Sequence, residues 1–451
     1  MILKKRFLFI CTACLLILSC NKDKIYLDTR VDELLDAALV RASETNDLAH
    51  FILPESDDFS NIPQDVINNP LSKEKVALGK LLFFETGIAL TPTKEAGLKS
   101  YSCASCHIPE KGFTPGNIQG IADGGLGFGI TGESRTKLAA YREEELDVQS
   151  VRPLSILNVA FVENTTWNGR FGSTGVNVGT EDRWDLDPEL HSNHSGFVAL
   201  EAQNISGLEV HRMTITEEVL DGYGYRSYFD AAFKDIPVEN RYDDQSAALA
   251  ISAYLRTVLA NQAPFQEYLK GNKAAMNDQE KRGALVFFSD AKCYHCHKDA
   301  NLGANEFHAI GVKDLYQTGL AFNTSAEDIR NLGRGEYSGL IEDNHKFKIP
   351  QLYNVGDFPF FFHGSSKTTL KEVVEYFNDA IPENSNVPVE QIARQFKPLN
   401  LTDEQVEDLT VFLETGLRDP NLQRYAPEEV LSGFCFPNND LFSQIDLGCG
   451  E

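Results

Sequence analysis

The sequence predicts a mainly α-helical chain made of two similar domains in tandem with long loops. Three observations carry that expectation. The pattern Cys-x-x-Cys-His occurs twice, at Cys103, Cys106 and His107 and again at Cys293, Cys296 and His297. A short amphipathic stretch ending in two phenylalanines leads into each: EKVALGKLLFF, Glu74 to Phe84, and EKRGALVFF, Glu280 to Phe288. Each half then closes with apolar residues at helical spacing, while strand-like alternation is rare and short.

In chain order, Lys4, Lys5 and Arg6 precede the apolar run Phe7 to Leu18, which is too short to span a bilayer. Residues 1–19 read as a leader peptide, which takes Cys11 and Cys14 with it. Ile17-Leu18-Ser19-Cys20 resembles a bacterial lipobox, which would make Cys20 the lipidated first residue of the mature chain. An ordinary secretory signal with an incidental cysteine is the alternative. Residues 20–70 are then a lipid-anchored N-terminal segment, and the lipid is the only expected membrane contact. The expected location is the cell envelope, as a periplasm-facing or outer-membrane lipoprotein.

The first domain is expected over 71–270. Its opening helix follows Pro70 and Ser72. Its closing helix is entered through Asp243-Asp244 and carries Ile251, Tyr254, Leu255 and Val258 on one face. Residues 108–150 and 171–200 between them are rich in glycine and polar residues and read as long loops. The boundary falls near Gly271 to Asn277, and the second domain spans 271–420. That domain opens with a capping box, Asn277 and Glu280. Its closing helix starts at Thr402 with Gln405 three residues on, carries Val406, Leu409, Phe412 and Leu413, and stops at Gly416. The tail, 421–451, holds Cys435 and Cys449. In an oxidising compartment they are expected to form a disulfide, with two free thiols as the alternative.

Chemistry explains the repeated motif. Two thiols add to the two vinyl groups of a porphyrin, and the next histidine reaches the iron from one face. A four-thiolate zinc site needs neither histidine, and a thioredoxin-like pair needs a βαβ setting that is missing here. The chain is therefore expected to bind two haem c groups covalently, through Cys103 and Cys106 and through Cys293 and Cys296. His107 and His297 are the expected proximal iron ligands, and His295 reads as an exposed spacer. Gly127-x-Gly129-x-x-Gly132 has the form of a dinucleotide fingerprint, but no apolar strand precedes it. His191 and His194 read as solvated loop residues.

The chain has 41 basic and 66 acidic residues; without the leader's three basic residues its formal net charge moves from -25 to -28. Such a body repels nucleic acid and anionic lipid and favours a basic protein partner. Simple solubility is the alternative use of that charge.

Several segments together resemble the bacterial di-haem cytochrome c peroxidase family: LGKLLFF, the two haem motifs, SILNVAF (Ser155 to Phe161), TWNGR (Thr166 to Arg170) and PFFFHGSSKTTLKEVV (Pro359 to Val374). The likeness runs from about Leu78 to Gly416. It implies reduction of hydrogen peroxide to water at the first haem. Electrons would come from a small cytochrome c or copper protein through the second haem. It implies that Trp167 lies between the haems. It also implies a glutamine and an acid near the first iron, where Gln203 matches the glutamine and Glu209 is ranked ahead of His211 as the proton-transfer group.

Three departures matter. No histidine occurs between His107 and His191, where many members carry one that caps the peroxide iron, so the first site is expected to be open without reductive activation. Phe377 stands where the family offers methionine to the second iron. Tyr376, one residue off, becomes the candidate ligand, since Met213 and Met276 are not nearby in sequence. Val151-Arg152 replaces the family's Arg-Asn, which weakens the case for its inter-domain calcium. A di-haem oxidase that modifies a partner protein, motivated by the tyrosine, and a non-catalytic electron carrier are the other readings.

Overall fold

Helices and tight turns dominate, and sheet is minimal. The computed structural model describes residues 22–63, with side chains from Arg30 on, and residues 68–449. The expected leader and the lipidation site Cys20 lie outside these residues. In chain order the α-helices are α1 (Lys22–Ala42), α2 (Lys73–Phe84), α3 (Glu181–Trp184), α4 (Ala199–Val210), α5 (Arg226–Ala232) and α6 (Asp244–Arg256). They continue with α7 (Pro264–Leu269), α8 (Asp278–Phe288), α9 (Arg334–Ser338), α10 (Leu370–Asp379), α11 (Asp403–Val411) and α12 (Leu441–Leu447).

Local chemistry sets the helix starts. Ser72 caps α2 by accepting from the Lys75 amide, and Asp243 caps α6 by accepting from Ser246. Asn277 with Glu280 and Thr402 with Gln405 form the two capping boxes at α8 and α11, each satisfying two otherwise orphaned amides. After Val411 the backbone widens into a π-turn, Phe412–Gly416, which ends the helix.

The two halves repeat one packing device. In the first, α2 crosses α6; in the second, α8 crosses α11. A glycine sits at each crossing. A Cβ on Gly79 would lie 1.8 Å from the Ala250 carbonyl oxygen, and one on Gly283 would lie 2.0 Å from that of Asp408. Only glycine allows backbones so close. The phenylalanines that end each pre-motif helix then turn inward: Phe83 and Phe84, and Phe287 and Phe288, are all buried. Core residues of both halves form one continuous apolar cluster.

The described part of the N-terminal segment joins that packing. Leu35, Ala38 and Leu39 of α1 are fully buried, and α1 lies on α8. Lys281 pairs with Asp32 at 2.9 Å and Lys273 with Asp36 at 2.6 Å.

Both long loops are built mostly from short 3-10 turns, and the second also holds α3. The first also holds a two-stranded antiparallel ribbon, β1 (Gly125–Leu126) with β2 (Thr136–Lys137). A second ribbon, β3 (Ala304–His308) with β4 (Phe347–Ile349), follows the second motif, with a register shift between Ala304 and Phe307. The tail returns to the first half. Cys435 and Cys449 are disulfide-bonded. Between them the chain runs beside the first motif: Ser102 Oγ donates to the Pro437 carbonyl at 2.9 Å, and the Asn439 amide donates to that of Ser100 at 3.0 Å. The glycine-rich stretch takes its anion from the tail. Amides of Gly127, Phe128 and Gly129 donate to the carboxylates of Asp440 and Asp446 at 2.7–2.9 Å.

Candidate functional site: a cavity joining the two motifs

Each histidine of the two motifs is held in the same way. The Nδ1 of His107 lies 3.0 Å from the Phe113 carbonyl, and that of His297 lies 2.8 Å from the Leu302 carbonyl. A carbonyl only accepts, so Nδ1 carries the proton and Nε2 keeps its lone pair. Both acceptor residues adopt left-handed backbone, φ 59° at Phe113 and 52° at Leu302, which turns their carbonyls back toward the ring. Phe83 and Phe287 pack beside the imidazoles with centroids 6.4 Å and 6.3 Å away. Burial pushes both imidazoles down to about 4, so both are neutral at pH 7, as a metal ligand must be.

None of the four motif cysteines is in a disulfide. Burial pushes the thiols of Cys103, Cys106 and Cys293 up to about 12, so they are protonated at pH 7. Among the described residues no three His, Cys, Asp or Glu side chains converge on one metal point. A porphyrin asks for a different arrangement: two thiols spaced along its edge and a histidine over its centre. One cavity of about 1460 Å³ reaches both motifs and is lined by all six motif residues. It exceeds the ~300–1,000 Å³ of a pocket for one small ligand. The residues fit two haem c groups.

Above the first motif α4 presents one face to the cavity. Gln203, Gly207 and Val210 line it, as does His211, the C-cap residue that follows. These positions recur at helical spacing. Glu209 falls on the opposite side, exposed and outside the lining. The ranking of Glu209 over His211 is therefore reversed: the helix phase sends the carboxylate to solvent. The Nδ1 of His211 lies 2.8 Å from Asp147 Oδ2, and Asp147 is buried. Burial opposes the imidazolium, but the Asp147 charge and hydrogen bond outweigh it and raise the pKa above the ordinary histidine value. Nothing in the sequence marked Asp147, which sits on a loop 64 residues upstream of its partner.

The second-site expectation also needs correction. Tyr376 is not placed as an iron ligand. Its hydroxyl donates to the Ile310 carbonyl at 2.6 Å, its ring packs on Phe396, and it lies outside the cavity lining. Leu370, Val373 and Phe377 form the cavity face of α10, a spacing readable in the sequence. The imidazoles that line the cavity beyond the second motif are His308, His345 and His363. His363 is bound to the buried Asp314 at 3.0 Å and stacked on Phe347 at 3.5 Å. His295 is exposed, and so are His191 and His194.

Trp167 stands where the two halves meet. Its indole N–H donates to the Arg152 carbonyl at 2.6 Å, and its own carbonyl accepts from the Lys348 amide on β4 at 2.8 Å. Its ring meets Phe347 and His363 edge-on at 6.4 Å and 6.2 Å. Lys348 is buried over the Phe307 ring, and burial pushes its ammonium down to about 7.

A mainly helical chain with two Cys-x-x-Cys-His motifs on one cavity has the arrangement that a di-haem protein of cytochrome c type requires. Residues 73–274, which include the first motif, match the profile of the di-haem cytochrome c peroxidase family. It is 26% identical over 356 residues to the methylamine utilization protein MauG of Methylorubrum extorquens, covering 78% of this chain and 80% of that protein. It is 26% identical over 372 residues to the cytochrome-c peroxidase IdrP1 of Denitromonas iodatirespirans, covering 78% and 83%. Its fold resembles the crystal structure of a MauG-like protein associated with microbial copper homeostasis. That match has a TM-score of 0.58 and 22% identity, over 83% of this chain and 97% of the other.

Proposed function

We propose that the chain is a di-haem cytochrome c peroxidase that reduces hydrogen peroxide to water. Peroxide binds at the first motif, and electrons arrive through the second from a small cytochrome c or copper protein. The observation that carries this reading is the His211–Asp147 pair, set on the cavity wall of the site that His107 serves. When bound, the haems supply the irons that bind peroxide and carry electrons. The chain's own residues do the rest. Asp147 holds the Nδ1 proton of His211, which leaves Nε2 to take a proton from one peroxide oxygen and return it to the leaving oxygen. Gln203 shares that face and orients the bound molecule. Trp167 spans the junction between the halves.

The remaining assignments belong to the same reading. The haems are thioether-linked in tandem domains over 71–270 and 271–420. No histidine occurs between His107 and His191 to cap an iron held by His107, so that group would accept peroxide without reductive activation. Cys20 carries lipid at the cell envelope, facing the periplasm. A di-haem oxidase that modifies a partner protein is the second reading, although the Tyr376 hydroxyl is given to a backbone carbonyl.

The test is steady-state peroxide reduction by holoprotein with reduced cytochrome c. Turnover that falls about 10²–10⁴-fold in His211→Ala, the range of one general acid–base group, supports the proposal. Turnover unchanged by that substitution, or none in wild type, rules it out.

A further inference from the structure

Arg152 is buried at 3% exposure between the two halves. Its guanidinium is enclosed by oxygens of one loop. Nη1 donates to the carbonyls of Asn117 and Ile118, and Nη2 to the Pro115 carbonyl at 2.6 Å and to Thr114 Oγ1 at 3.3 Å. No carboxylate of the described residues pairs with it, and burial pulls it down to about 9, so it stays charged at pH 7. Its backbone ties the other half in. The Arg152 amide donates to the His363 carbonyl at 2.8 Å, and the Arg152 carbonyl receives the Trp167 indole N–H. Phe360 lies 5.4 Å from the guanidinium carbon. The same loop reaches the second half again, where Ser365 Oγ donates to the Ile118 carbonyl at 2.9 Å.

Carbonyl oxygens converging on one positive centre are the donor set of a hard cation such as calcium. Here a side chain has taken that place. We propose that Arg152 is the built-in cation of the junction: its guanidinium fills the carbonyl cradle, and the chain joins its halves there without an inter-domain calcium ion. Arg152 is thus a positioning residue, holding Trp167 and the 360–363 segment in register with the first half. Its charge also faces the shared cavity. This second effect rests on the two-haem reading; the metal claim does not.

The experiment uses holoprotein dialysed against EGTA, assayed for bound calcium and melted with and without added calcium chloride. Arg152→Lys and Arg152→Gln are treated alike, and the haem reduction potentials of all three are titrated. Wild type is expected to carry no stoichiometric calcium and to melt at one temperature under all conditions. Arg152→Lys keeps most of the melting temperature and both potentials. Arg152→Gln loses melting temperature, and its potentials fall because a positive charge favours the reduced iron. One calcium per wild-type chain, or a melting temperature that drops under EGTA and returns with calcium, overturns the proposal. Arg152→Gln with unchanged melting and potentials overturns it too. If that variant fails to fold, the wild-type arm and Arg152→Lys still decide. Peroxide turnover enters none of these readouts, so failure of the peroxidase reading is separately visible.

Discussion

In the proposed function His211 moves the peroxide proton, and Asp147, 2.8 Å from its Nδ1, sets when it can act. A base must be neutral to accept the peroxide proton. The raised pKa of His211 means that activity is lost as pH falls through a value above the ordinary ~6.5 of histidine. Asp147→Asn removes the carboxylate and leaves burial, which lowers the pKa. The acid limb of the pH–rate profile should then move to lower pH, with reduced turnover from the lost orientation of the ring. Steady-state rates from pH 5 to 8 check this. An acid limb that stays in place would remove Asp147 from the account. At this scale the sequence told only part. The residues proposed as iron ligands and attachment cysteines are adjacent in the chain, so the motif is readable at once. Glu209 and His211 differ by their phase on α4, which the family match by itself does not resolve, and Asp147 comes from a loop with no pattern of its own.

Among the elements, the repeated helix crossing is the part most exposed to test. Gly79→Ala puts a methyl group against the Ala250 carbonyl with no room to move aside. A loss of about 3 kcal/mol is expected, at the upper end of overpacking costs. Gly283→Ala should act alike at α8 and α11. Denaturant melts of holoprotein followed by far-UV circular dichroism read both, and stability equal to wild type would mean the helices re-space freely. Helix starts were legible because caps are local: Ser72, Asp243, Asn277 and Thr402 each act within three residues. The inward face of α10 was also legible in the run Leu370, Val373 and Phe377, a phase that leaves Tyr376 outside the cavity lining. The tail's course over the first motif was not legible, since Asp440 and Asp446 find their amides more than 300 positions away.

For the whole molecule, charge and duplication lead. An acidic body should capture a basic electron donor by long-range attraction, and salt screens that attraction. With a basic cytochrome c as donor, the second-order rate should fall by roughly ten-fold between low and high ionic strength. An acidic donor should show no such fall. Identical salt dependence for both would leave the charge a matter of solubility. The repeated helix packing, α2 on α6 and α8 on α11, was legible in the repeated motifs and pre-motif helices. The shared core and the docking of α1 against α8 were not, because they depend on faces that meet only when both halves are folded.

The most direct measurement mixes fully oxidised, haem-loaded protein with one equivalent of hydrogen peroxide, without reductant, and follows the haem absorption by stopped flow. His211→Ala is run beside wild type. The account predicts a rapid spectral change in wild type and one slower by about 10²–10⁴-fold in the variant. No change in wild type, or equal rates in the two, would contradict it.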